Sequence, residues 1–114
     1  MYAIRYCGCP DMGEAARARV RLMLAAIGPG RNVYWVGVQN FSYPASAAIF
    51  NDVLEELVNA GELAGSLDWE TISAGRRITW FVDNVHFNPA GYNVWFPAVA
   101  ALAVKGTWSA TPAG

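Results

Sequence analysis

An aspartate and the chain's one histidine stand three residues apart in Asp83-Asn84-Val85-His86-Phe87-Asn88-Pro89-Ala90-Gly91-Tyr92, just ahead of a helix start. A carboxylate that accepts a hydrogen bond from one imidazole nitrogen fixes the tautomer and leaves the other nitrogen free as a base. Asp83 and His86 therefore have the chemistry of two thirds of a nucleophilic triad. What they lack is an alcohol or thiol for the imidazole to deprotonate. The bland alternative is a structural histidine held by a neighbouring carboxylate at a helix start, and the elements around the pair must decide between the two.

Other reactive residues offer less. Cys7 and Cys9 flank Gly8, and with His86 they make three ligands where a structural metal site wants four. They read as free thiols at a strand end, and neither a metal nor a cofactor is implied. Ser42, Ser46, Ser73 and Ser109 lack the sharp strand-to-helix turn that exposes a nucleophilic serine. Ser66, in Gly65-Ser66-Leu67, enters a strand instead of leaving one. Asp68 reads as a strand-end or helix-cap carboxylate, and Arg76 and Arg77 as solvated. Trp35, Trp69, Trp80 and Trp95 suit a core or a cleft wall, with Trp80 and Phe87 flanking the Asp-His pair.

Composition excludes several classes. A chain of 114 residues is one domain at most, and an apolar fraction of 54% argues for a dense core or for surface meant for a partner. A net charge of -1 leaves no electrostatic footprint for nucleic acid. No window approaches the ~20 apolar residues of a membrane span. No basic segment followed by an apolar core opens the chain, so it reads as cytoplasmic as written, with export open if a further N-terminal segment exists.

The elements that position the pair follow from periodicity. Tyr2 to Cys7 reads as a buried strand closed by Gly8 and Pro10. A helix is predicted over Met12 to Ile27, capped by Asp11, with Ala16, Val20, Met23, Leu24 and Ile27 inward, Arg17 and Arg21 outward, and Gly28-Pro29-Gly30 as its stop. Val33 to Val38 is continuous, β-branched and aromatic, the pattern of a strand covered on both faces. Ser46 to Ala60 is a second amphipathic helix, with Phe50, Val53, Leu54, Leu57 and Val58 inward and Gly61 ending it. Ser66 to Trp69 is a very short strand, and Ile78 to Val82 a strand that delivers Asp83. A last helix runs from Pro89 to Val104, with Asn88 as N-cap and a kink at Pro97. Alternation of strands and helices predicts an α/β fold, with about three parallel strands and helices packed on the sheet. Loops at the carboxyl ends of such strands carry catalytic groups, and Asp83 and His86 fall in one.

In this setting the chain resembles the C-terminal half of the SGNH (GDSL-type) hydrolases. The segment from Asp83 to Tyr92 is similar to that family's closing motif, Asp-x-x-His followed by a glycine and a final helix. Leu67-Asp68-Trp69 resembles the short last strand before the motif, and Val33 to Val38 with the helix after Ser46 resemble the preceding strand and helix. The resemblance spans most of residues 2–104, read as one incomplete domain, leaving 105–114 as a loose tail. It implies a partial three-layer, flavodoxin-like fold and ester or acyl hydrolysis by a Ser-His-Asp mechanism. His86 would take the serine proton and Asp83 would orient the imidazole.

The departures are as specific as the likeness. There is no Gly-Asp-Ser, and the glycine of the family's second motif is absent. Gly8-Cys9-Pro10-Asp11 falls where Gly-x-Asn-Asp would, so Pro10 replaces the asparagine and offers no donor to an oxyanion. The expectation is a hydrolase-like chain inactive alone, whose small ester or acylated substrate is turned over only if the chain is complemented. It should self-associate or bind a complementing fragment through the surface the missing half would cover. Two alternatives stay open: a non-catalytic binding or assembly remnant of the fold, and a small enzyme using Cys7 or Cys9 as nucleophile.

Overall fold

The computed structural model of the protein describes residues 12–105. The strand expected at Tyr2 to Cys7, the Asp11 cap, both cysteines, Ser109 and the tail lie outside those residues. Within them the order is α1 (Met12–Ile27), β1 (Tyr34–Val36), α2 (Pro44–Asn59), β2 (Gly65–Leu67), α3 (Trp69–Ile72), α4 (Arg77–Trp80) and α5 (Pro89–Lys105).

The long helices form where the apolar spacing puts them. α1 stops at Gly28, whose φ of +91° suits the left-handed cap and whose N–H donates to the Leu24 carbonyl at 3.0 Å. α2 opens on Pro44 and closes at Gly61, φ +79°. Its buried residues are Ala47, Val53, Leu54 and Leu57. Val20 of α1 joins Val53, Leu54, Leu57 and Leu63 in one core, with Ala16, Leu24, Phe50, Val58 and Trp35 packed around it. Met23 and Ile27, expected inward, are 51% and 37% exposed. Arg17 and Arg21, expected on the outer face, form two-pronged ion pairs there with Glu56 and Glu62, clamping α1 to α2 and the loop after it.

β1 and β2 run parallel, with Tyr34 opposite Gly65, Trp35 opposite Ser66 and Val36 opposite Leu67. Alternation sends Trp35 to the α1–α2 side, while Tyr34 and Val36 pack with Leu67, Ala98 and Leu102 on the α5 side. β1 ends sooner than its apolar run. The Asn51 side-chain amide takes both the N–H and the carbonyl of Val38, each at 2.8 Å, and so replaces a further ladder rung. Gly37 sits where a Cβ would lie 2.8 Å from both Asn51 Oδ1 and the Leu67 carbonyl, so only glycine fits this crossing.

The expected α/β fold with about three parallel strands, a partial flavodoxin-like sheet, is not what forms. The described residues are mostly helical, with a single two-stranded sheet. The predicted strand Ile78–Val82 is in fact the helical turn α4 followed by one antiparallel bridge, Phe81 to Phe87. Its apolar residues are not sheet-covered: Ile78 is 90% and Val82 66% exposed. The Trp80 N–H bonds back to the Arg76 carbonyl at 2.9 Å, and the Trp80 carbonyl is taken by the Asn88 N–H at 2.8 Å. Helical and cap hydrogen bonds thus use up the groups a strand would have offered, and tertiary pairing overrides a β-favouring run.

Candidate active site

Asp83 and His86 lie in the turn between Phe81 and Phe87, closed by the Val82 N–H donating to the His86 carbonyl at 2.9 Å. Asp83 builds that turn. Its Oδ1 accepts the N–H groups of Val85 at 2.7 Å and His86 at 2.6 Å, while its Oδ2 lies 2.8 Å from His86 Nδ1. Short polar side chains commonly stabilise turns this way. Here the second oxygen is spent on the imidazole.

The backbone N–H of His86, then that of Val85, then the imidazole hold the Asp83 carboxyl down at about 2. At neutral pH it is a carboxylate, an acceptor only. Nδ1 must then be the donor, and in the neutral imidazole the lone pair sits on Nε2. Among the described residues nothing hydrogen-bonds Nε2, and the His86 side chain is 76% exposed. This is the base-and-orienter geometry of a triad, facing solvent.

Because this carboxyl titrates below its unfolded value, its contribution to the turn is complete above about 3.8 and is lost as pH falls through about 2. Carboxyl-carbon NMR should place the Asp83 midpoint near that lower value. In His86→Ala the midpoint should rise yet stay below 3.8, because both backbone donors remain. A midpoint at the ordinary value in the unmodified chain would refute the turn geometry.

Asn84, one of the two residues between the pair, is clamped, which the sequence did not suggest. Asn84 Oδ1 accepts from Arg77 Nε at 2.6 Å, its Nδ2 donates to Ser42 Oγ at 2.8 Å, and its carbonyl accepts the Phe41 N–H at 2.9 Å. Arg77 is therefore a clamp, and Arg76 lies over the Trp80 ring at 5.1 Å; neither is simply solvated. Asn40 fixes the far side of the clamp by accepting the N–H groups of Ser42 and Tyr43. Ser42 is thus tied to the turn through Asn84, with no hydrogen bond to His86.

Among the described residues the other serines are occupied elsewhere or sealed in. Ser66 is a half-buried rung of β2 opposite Trp35. Ser73 is fully buried, donating to the Trp69 carbonyl at 2.6 Å and accepting from Gln39. The Ser46 hydroxyl is buried without a partner. Asp68 caps α3, accepting the Thr71 N–H at 3.1 Å and its hydroxyl at 2.7 Å.

Aromatic rings back the turn from below. Trp69, 2% exposed, stacks on Trp80 at 6.0 Å and meets Phe81 and Phe87. Phe87 continues to Trp95 at 5.3 Å. Asn88 then starts α5, accepting the Gly91 N–H at 2.9 Å as N-cap while its Nδ2 donates to the Thr79 carbonyl. Among the described residues no cluster of three or more His, Cys, Asp or Glu is placed to hold a metal, and no helix is long and apolar enough to cross a membrane. No family model, curated protein or solved structure matches the chain.

Proposed function

We propose that Asp83 and His86 are the acid-base half of an SGNH-type ester or acyl hydrolase site, completed by a separate segment that supplies the serine and the oxyanion donors. The observation that carries this reading is the 2.8 Å contact from Asp83 Oδ2 to His86 Nδ1 with Nε2 left open. The imidazole is oriented by an ionised carboxylate and aims its basic face outward.

The exposure of the pair, 54% for Asp83 and 76% for His86, fits the same reading. Charge stabilisation at an acyl transition state is strong only where water is excluded. A complementing segment would bring that wall with the nucleophile, and it would cover apolar side chains such as Ile78 and Val82 on the flanking turn. The likeness rests on the Asp-x-x-His segment and its geometry, not on a three-stranded sheet.

The chain alone should give no turnover of short acyl esters and no labelling by a serine-directed fluorophosphonate. Mixed or fused with a polypeptide carrying a Gly-Asp-Ser strand-turn, it should gain both, and His86→Ala should abolish the turnover. Esterase activity of the chain alone that survives His86→Ala would defeat the proposal. Activity lost in Cys7→Ser or Cys9→Ser would transfer the nucleophile's role to that thiol.

A further inference from the structure

Beside the turn, on the α5 side of β1, lies an open hollow of about 290 Å³. Val36, Val38, Val85, Phe87 and Trp95 give it apolar walls, and among the described residues no charged side chain lines it. The size falls at the lower end of small-molecule sites, which start near roughly 300 Å³. One wall residue is polar. Gln39 lines the hollow and is 8% exposed, a depth at which side-chain amides normally have partners at both ends.

The hydrogen bonds around Gln39 fix which end of its amide is free. Its Nε2 donates to the Glu70 carbonyl and to Ser73 Oγ, both at 3.1 Å. A carbonyl can only accept, and the single Ser73 hydroxyl proton already goes to the Trp69 carbonyl at 2.6 Å. Both neighbours therefore demand a donor, so the amide cannot turn over and its oxygen stays at the opposite end. Among the described residues nothing donates to Oε1. Nor is that oxygen sealed in, for the unpaired side-chain atoms shut off from solvent there are Ser46 Oγ and Trp69 Nε1. The oxygen of so deeply buried a residue meets solvent in the hollow that the residue lines.

Other polar groups of the wall are occupied within the fold. The Gly37 N–H donates to the Leu67 carbonyl, the Val38 N–H to Asn51 Oδ1 and the Val85 N–H to Asp83 Oδ1. The Trp69 indole N–H is sealed off and cannot reach a guest, while that of the half-exposed Trp95 can stay hydrated.

From an uncharged apolar hollow with one fixed acceptor in its wall, we infer that it binds a small neutral aromatic molecule bearing a single N–H or O–H donor, which bonds to Gln39 Oε1. An aromatic guest suits walls that offer the Phe87 and Trp95 rings, 5.3 Å apart, for edge and face contact. A cation would give up its hydration here without gaining a counter-charge. The site goes beyond the proposed hydrolysis and does not depend on it, since neither Asp83 nor His86 lines the hollow. Affinity should be modest, with a Kd on the order of 1 mM for a fragment-sized ligand.

Indole and indene test it, being nearly equal in shape and differing in the N–H. In ¹³C-labelled protein the Gln39 side-chain carbonyl signal is the one that vanishes in Gln39→Met. It should move downfield saturably with indole and much less with indene, although both bind. Gln39→Met keeps the length of the side chain and removes the oxygen. It should weaken indole about fivefold, the worth of one neutral hydrogen bond, and leave indene nearly unchanged. His86→Ala should bind both probes normally, whatever becomes of the hydrolase reading.

A Gln39 carbonyl signal that stays fixed while indole binds would overturn the inference, as would binding of neither probe at millimolar concentration. Equal weakening of both probes by Gln39→Met would do so too, because it would mean lost packing. Should Gln39→Met not fold, through-bond correlation to the Gln39 backbone assigns the signal. Val38→Glu then serves as the variant, at a residue 39% exposed on the edge of the hollow. It should abolish binding of both probes, and unchanged binding there would refute the site.

Discussion

Gly91→Ala should cost about 2–3 kcal/mol, the range of a severe overpacking, although it adds one methyl group to a strong helix position. A Cβ at Gly91 would stand 2.2 Å from the Trp80 carbonyl oxygen and 3.0 Å from the Trp80 Cβ. The oxygen is backbone, so no flexible side chain can yield. Nor can it retreat freely, for it already accepts the Asn88 N–H at 2.8 Å. The first turn of α5 must therefore lift away from α4, straining the Asn88 cap and its bond to the Thr79 carbonyl. On propensity alone, glycine to alanine inside a helix would stabilise by up to about 1 kcal/mol, so the sign of the effect is itself a test. For a domain near this size the loss corresponds to roughly 10–20 °C in Tm by circular dichroism. Asn93→Ala, exposed on the same helix, should shift Tm by a few degrees at most. Equal Tm values for the Gly91→Ala and unmodified chains would mean that α5 does not seat on α4 as described.

The same contact explains what could and could not be read from the sequence. α1 and α2 were legible because a 3.6-residue apolar spacing and a glycine stop are local signals, and Val20, Val53, Leu54 and Leu57 are buried as that spacing demands. Met23 and Ile27 continue the stripe on α1 but lie outside what its neighbours cover, although Leu24 between them packs on the core, and periodicity alone carries no information about the extent of that cover. The run Ile78–Val82 has a strand's composition. Its conformation is decided by the Asn88 N–H, which takes the Trp80 carbonyl, and by Gly91, whose missing Cβ leaves room for that carbonyl, a pairing that no window over the run contains. Val38 likewise leaves the ladder because of Asn51, a helix residue whose amide imitates a neighbouring strand.

The site divides along the same line. Asp83 and His86 were legible because a three-residue spacing lets one carboxylate reach both a backbone N–H and the imidazole. The clamp on Asn84 was not, because Ser42 lies 42 positions away and Arg77 carries no mark distinguishing it from a solvated arginine. What fixes the pair in space is thus less visible than the pair, and mutations at Asn84 or Arg77 would disturb its orientation without touching its chemistry.

Asp83→Asn separates the structural work of Asp83 from its electrostatic work. An asparagine keeps an oxygen where Oδ1 accepts the Val85 and His86 N–H groups, so the turn should persist. At the second position it presents an NH₂ donor to His86 Nδ1, in place of an acceptor at 2.8 Å. The imidazole must answer with its lone pair on Nδ1, which moves the proton to Nε2, the nitrogen that the proposed hydrolysis needs as base. Nitrogen-correlated NMR of the chain alone should show that exchange, Nδ1–H in the unmodified protein and Nε2–H in the variant. In the complemented enzyme kcat should fall by about 10⁴ with KM little changed, the scale of the same substitution in a serine-protease triad. Asp83→Ala, which gives up the turn as well, should lower Tm in addition. If Asp83→Asn left kcat within a few-fold of the unmodified value while the tautomer exchanged, the imidazole would have no part in proton transfer. The carboxylate would then be a turn-former and nothing more.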